Sequence, residues 1–329
     1  MWNVLQEPLP EMATTHREAI WKKNKATLWY YPPKKKKFNV PIFIVYSLIS
    51  QPFILDLGPK MSMIEAFREE GYEVYLLDFG IPGYEDGDIS MDDYIVDYIQ
   101  KGAQRSLRHS GAQEISVIGF CLGGTLAAMY TTIAEEPIKN LILSTTPIDF
   151  SFTPIFKNWS DAIRNETIDV EELIVTPVIP SEFVRIGMRL LSSPVYVSPY
   201  LSLLARVDDE QYVNKWRRLN EWTNAHIPLT GAALKQLIND LGKHNKLIKG
   251  KMFIRKKRAS LKNITCNLLV VSGAQDLLVP KEMSEPIMKL VSSEDKQFTL
   301  LSQGHSGIST DGKLPNYLAE WLPKRSEPI

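Results

Sequence analysis

Apolar residues in this chain gather into strand-length runs separated by amphipathic stretches. Val40–Tyr46 (VPIFIVY) is continuously apolar and rich in β-branched residues, the pattern of a strand buried on both faces. Ser62–Glu70 reads as a short helix ended by Gly71, and Glu73–Leu77 as the next strand. Ser90 followed by Asp93 reads as a capping box, opening a helix that runs to about His109 and stops before Gly111. Ile115–Gly119 is a third strand, Gly123–Ile133 a helix and Leu141–Ser144 a fourth strand. The alternation then breaks. From Phe150 to Ser260 prolines are scattered (Pro154, Pro177, Pro180, Pro194, Pro199, Pro228) and the helical stretches, such as Glu210–Asn224, are amphipathic. It resumes with Cys266–Ser272, a helix near Pro280–Val291, a strand Gln297–Leu301 and a last helix Leu314–Leu322. Strands joined through helices require βαβ crossovers, so the expected class is α/β with a mainly parallel sheet. The expected organisation is an N-terminal segment (1–38), a core in two parts (39–149 and 261–329), and an insertion (150–260). An insertion between strands of such a sheet commonly sits over their C-terminal ends, where ligands bind, so it is read as a helical cap.

Composition changes this picture little but excludes several classes. The chain has 329 residues, 44% hydrophobic and 23% charged, an ordinary globular balance. Lys+Arg and Asp+Glu are both 38; a global electrostatic grip on nucleic acid is not expected. The apolar runs are far shorter than the roughly 20 residues that span a bilayer, and no secretory leader pattern opens the chain. Two cysteines, Cys121 and Cys266, cannot build a disulfide framework, and a reducing cytosol is the simplest setting. Lys34–Lys37 after Pro32-Pro33 reads as a solvated loop, with a phosphate-binding role as the alternative. No paired histidine spacing suggests a metal, and no glycine loop suggests a phosphate cradle.

The chemistry concentrates at Gly119-Phe120-Cys121-Leu122-Gly123-Gly124, directly after a strand and before a helix. Gly-x-nucleophile-x-Gly in that context is a nucleophile elbow. The turn is tight enough that its flanking positions cannot carry bulk, so glycine at 119 and 123 is a steric requirement. The thiol of Cys121 would stand at a helix N-terminus, whose N–H groups and dipole favour thiolate. The elbow belongs to the α/β-hydrolase fold, where an acid and then a histidine follow on loops after late strands. Asp276 follows the strand ending at Val271, and His305 follows the one ending at Leu301. Of five histidines, His16 and His109 precede the elbow and His226 and His244 lie in the insertion, which leaves His305. The expected triad is Cys121–His305–Asp276. The expected oxyanion donors are the N–H of Leu122 and one from the loop at Leu48–Ile49. Cys266 opens a core strand without such context and is read as structural; Trp216 and Trp222 are read as cap core. A cysteine attacking a thioester exchanges one thioester for another at nearly equal free energy, so the acyl group stays energised for transfer. That favours acyl transfer over hydrolysis.

With these segments in hand the chain resembles a polyhydroxyalkanoate synthase of the short, two-subunit kind (classes III and IV). The resemblance runs from about Ile20 to Leu322. It rests on Ile20–Lys25, Tyr46–Leu57, the Gly119–Gly124 box, Thr145–Phe150, Asn245-Lys246-Leu247 and the Asp276 and His305 loops. It implies polymerisation of (R)-3-hydroxyacyl-CoA, with short-chain monomers such as 3-hydroxybutyryl-CoA expected, and release of coenzyme A as leaving group. No separate cofactor is implied. It further implies a small second subunit or a homodimer, no nucleic acid, no transmembrane segment, and a cytoplasmic position at the polymer granule surface. Ser50 departs from the family, whose loop commonly has asparagine there, and little chain precedes Ile20. Two rivals share the fold: a thioesterase that admits water to the same triad, and a non-catalytic granule-associated regulator.

Overall fold

The computed structural model describes residues 11–153, 157–191, 200–305 and 312–329. Its centre is an eight-stranded sheet of β1 (Glu18–Lys23), β2 (Ala26–Tyr31), β3 (Ile42–Val45), β4 (Val74–Asp78), β5 (Ile115–Phe120), β6 (Ile138–Ser144), β7 (Asn267–Gly273) and β8 (Lys296–Leu301). The order is β1-β2-β4-β3-β5-β6-β7-β8, parallel from β4 to β8. The first two strands form an antiparallel hairpin that adds to the edge against β4. This hairpin lies within the N-terminal segment, ahead of the alternation read from the sequence.

Strand β3 sits between β4 and β5 because it is apolar on both sides. Ile42 and Ile44 pack into one cluster, Phe43 and Val45 into the other, and all four are fully buried. Each such side chain contributes about 1.5–3 kcal/mol relative to exposure. The first helix, α1 (Met63–Glu69), starts at Ser62, whose hydroxyl accepts the Glu65 N–H at 2.9 Å. The second, α2 (91–110), opens with the expected capping box: Ser90 N donates to Asp93 Oδ2 at 2.9 Å and Asp93 N to Ser90 Oγ at 3.2 Å. It ends at Gly111 in the left-handed region, at φ 70°. Its middle, Tyr94–Gln100, is π-helical, which a 3.6-residue period does not anticipate. The helix expected near Pro280–Val291 is shorter. Lys281–Ser284 is α-helical and Glu285–Lys289 is 3-10, because Pro286 has no N–H for the α ladder.

The elbow helix α3 (Leu122–Ile133) is followed, within the insertion, by α4 (Lys157–Arg164), α5 (Ser181–Leu191), α6 (Glu210–Asn224) and α7 (231–243). The last of these turns from α- to π-helical at Leu237. The insertion is tied to the loop after β3. Trp222 Nε1 donates to the Gln51 carbonyl at 2.9 Å, Ile227 N donates to the Ile49 carbonyl at 3.2 Å, and Ser50 pairs with His226 in an antiparallel bridge. Arg218 Nη1 donates to the carbonyls of Glu11 and Leu57. Trp216 is buried in edge-on contact with Tyr200. Farther on, Asn245 Nδ2 donates to Asp149 Oδ1 at 2.7 Å while its own Oδ1 accepts from Phe150 N, fastening the two ends of the insertion together.

Candidate active site

The turn after β5 carries Cys121 at φ 50° and ψ −129°, a conformation that L-residues adopt only under constraint. The constraint is visible: Cys121 N donates to the Ser144 carbonyl at 3.0 Å, and its own carbonyl accepts from Gly124 N at 2.9 Å to begin α3. A side chain at Gly123 would run into the carbonyls of Val45 and Tyr46, and one at Gly119 into Gly124. Both glycines are therefore sterically required. Cys121 as a whole is half-buried at this turn.

The other two residues arrive on adjacent loops. Ala274 N donates to the Leu301 carbonyl at 2.7 Å and Gln275 N to the Gln303 carbonyl at 3.0 Å, so the ends of β7 and β8 are zipped together. Gly273 permits this, since a Cβ there would strike the Gln303 carbonyl. The Asp276 side chain is buried, and both of its oxygens are used. Oδ1 accepts from Leu278 N at 2.9 Å and Val279 N at 2.8 Å, while Oδ2 meets His305 Nδ1 at 2.8 Å. A carboxylate is acceptor-only, so Nδ1 carries the proton of that bond and Nε2 is left for the thiol. Burial pushes the His305 pKa down. The charge of the Cys121 sulfur and hydrogen bonds to Asp276 and Cys121 outweigh it and raise the value to about 10.

This geometry has a pH signature. The folded pKa lies above the ordinary 6.5, so the folded state holds the extra proton between those values. The resulting stabilisation is full below about pH 6.5 and is lost as pH climbs through about 10. Removing the sulfur in Cys121→Ala should lower the His305 pKa, followed by NMR of its ring protons. A value still near 10 would mean that Asp276 alone holds the proton.

The expected oxyanion donors fare differently. Neither Leu122 N nor Leu48 N finds an acceptor among the described residues. Ile49 N instead points to Ser47 Oγ at 3.4 Å, and its carbonyl takes the Ile227 N–H. Leu48 is thus the better placed of the two loop candidates. One neighbour escaped the sequence reading. Tyr46, at the end of the β3 run, is buried beside Phe120, and burial together with the Cys121 sulfur raises its pKa. Its only sequence signal was a tyrosine closing a core strand. Cys266 carries a thiol pushed up to about 12 by burial. Three of the four lysines of the 34–37 run pair with carboxylates: Lys34 with Glu69, Lys36 with Glu73 at 2.6 Å and Lys37 with Glu70 at 3.9 Å.

A family model for the alpha/beta hydrolase fold matches residues 54–311. The poly(3-hydroxyalkanoate) polymerase subunit PhaC of Haloferax mediterranei is 33% identical over 95% of this chain and 65% of its own length. That of Haloarcula marismortui is 30% identical over 96% of this chain and 69% of its own. The chain belongs to the PhaC family of α/β hydrolases. It spans about two thirds of those two relatives, but 93% of the Allochromatium vinosum PhaC subunit, to which it is 27% identical over 99% of its own length. Its length is thus that of the short PhaC subunits. Among solved structures, a thermophilic esterase from Thermogutta terrifontis superposes with a TM-score of 0.50 at 15% identity, covering 94% of this chain and 99% of the esterase. That likeness concerns the fold alone. Among the described residues no helix of this PhaC-family chain is long and apolar enough to cross a membrane.

Proposed function

We propose that this chain is an acyltransferase that polymerises (R)-3-hydroxyacyl-CoA into polyhydroxyalkanoate through an acyl group carried on Cys121. The observation that supports this most is a cysteine on the elbow facing a His305–Asp276 pair closed at 2.8 Å, in a chain of the PhaC family. Cys121 sulfur attacks the thioester carbon, the bond to coenzyme A sulfur breaks, and the departing thiolate takes the proton held on His305. The developing oxyanion is held by the N–H groups of Leu122 and Leu48. The 3-hydroxyl of a second hydroxyacyl-CoA then attacks the acyl carbon. Its proton passes to His305, the bond to Cys121 sulfur breaks, and the lengthened chain remains as a thioester of coenzyme A. Return of that chain to Cys121 releases coenzyme A and completes the cycle. Asp276 holds the imidazole with Nε2 toward the sulfur and stabilises the imidazolium. Coenzyme A is substrate and leaving group, and the scheme needs no other cofactor. A small second subunit or a second copy of the chain, working at the surface of a cytoplasmic polymer granule, completes the reading.

The test is incubation with (R)-3-hydroxybutyryl-CoA, alone and with a candidate second subunit, following thiol release and the fate of the acyl group. Coenzyme A release with insoluble polyester is expected. Release with only free hydroxy acid would make the chain a thioesterase. No release under either condition would overturn the reading.

A further inference from the structure

Beside the two proposed oxyanion residues lies an apolar cavity. The side chains of Leu48 and Leu122 form one wall, Thr125 continues it one turn along α3, and Leu229, Ala233 and Leu237 of the insertion close the other. Three of the nine lining residues belong to the helix that starts at Cys121 and four to the insertion. The cavity volume is about 10 Å³, roughly what one water- or methyl-sized group fills. Thr125 supplies the only hydroxyl of the lining, and that hydroxyl already donates to the Pro147 carbonyl at 2.7 Å. A water there would find too few partners to repay its transfer, whereas an alkyl group loses nothing by entering.

We propose that this cavity receives the alkyl substituent on C3 of the hydroxyacyl group and that its size sets the monomer length; the inference rests on the polymerase reading above. With the carbonyl oxygen on the N–H groups of Leu122 and Leu48, the acyl chain leaves the thioester carbon beside those two side chains. The substituent at C3 then falls at the cavity that they wall. The 3-hydroxyl is turned away from a lining that offers it no free donor, and His305 is left clear for the hydroxyl of the second substrate. Separate places for alkyl and hydroxyl groups also select one hand at C3. A methyl substituent fits, whereas a propyl group requires the wall to retreat, and a misfit methylene in an apolar pocket costs about tenfold or more in specificity.

The experiment measures kcat/KM for coenzyme A release from (R)-3-hydroxybutyryl-, 3-hydroxyvaleryl- and 3-hydroxyhexanoyl-CoA, with a second subunit present where the wild type needs one. The wild type should favour the butyryl over the hexanoyl substrate by about tenfold or more. Leu237 is half-buried and Ala233 fully buried, so trimming the first and enlarging the second act on the wall in opposite senses. Leu237→Ala should raise the hexanoyl-to-butyryl ratio by about tenfold, and Ala233→Val should lower the valeryl-to-butyryl ratio by a similar factor. Ratios taken within one preparation cancel any loss of folded protein. A wild type that uses hexanoyl as well as butyryl substrate overturns the assignment, whatever the variants do. So do variants that keep the wild-type ratios. In both cases polymer formation from the butyryl substrate leaves the polymerase reading standing. A wild type that releases coenzyme A from none of the three overturns both.

Discussion

Cys121→Ala should bring coenzyme A release down to the uncatalysed background, a loss on the order of 10⁴-fold or more, while the protein keeps its fold. Cys121 is half-buried at the turn, and the strained backbone at φ 50° is held by main-chain bonds to Ser144 and Gly124 that alanine retains. Alanine has the same Cβ and meets the same backbone restriction, so the thermal midpoint should move by only a few degrees. The nucleophile is the one part of the scheme for which water offers no substitute that preserves transfer. Any residual release should therefore be hydrolysis, with no polymer. Near-normal release by the variant would remove Cys121 from the mechanism and leave His305 and Asp276 to be explained otherwise.

Asp276→Asn has the next largest expected effect, on the order of 10⁴-fold in elongation. The carboxylate accepts three hydrogen bonds, two from Leu278 and Val279 N–H groups and one at His305. An amide has one acceptor oxygen in place of two. If its oxygen keeps the two backbone donors, its NH₂ faces His305 Nδ1 and drives the ring to the tautomer with the proton on Nε2. That nitrogen can no longer take a proton from a thiol or an incoming hydroxyl. Slow acylation of Cys121 should persist, seen as a small burst of coenzyme A, while polymer yield collapses. Because the carboxylate also helps to raise the His305 pKa, the variant's activity profile should shift to lower pH. An unchanged yield with an unchanged profile would reduce Asp276 to a structural residue.

Both predictions concern candidate residues that lie at landmarks of local chemistry. The elbow announces itself through glycines that no other residue could replace. Asp276 follows an apolar run that forms the buried strand β7, and His305 follows the edge strand β8, whose residues are exposed or half-buried. Other parts of the site had no such landmark. Leu48 and Ile49 are neighbours of the same type, and only the hydrogen bond from Ile49 N to Ser47 distinguishes them. Ser50 pairs through its backbone with His226, a contact between positions distant in the chain. Tyr46 was read as the end of a strand, and its nearness to Cys121 depends on how β3 lies beside β5. The π-helical stretch of α2 is not written in its period.

By itself the order of residues determined the fold class and the parallel core, and it singled out Cys121, Asp276 and His305 as the candidate triad. Each of these is written in short-range terms: steric need at a turn, an apolar run, and a chain position after a strand. Only the tertiary structure decided which N–H groups are left without an acceptor among the described residues, which contacts bind the insertion to the loop after β3, and which side chains enclose the cavity beside Leu48 and Leu122. Those depend on pairs such as Trp222 with Gln51 and Leu122 with Ala233, far apart in sequence and brought together by burial. Burial rewards apolar area wherever it comes from, so composition ensures that the cap packs but does not specify against which residues.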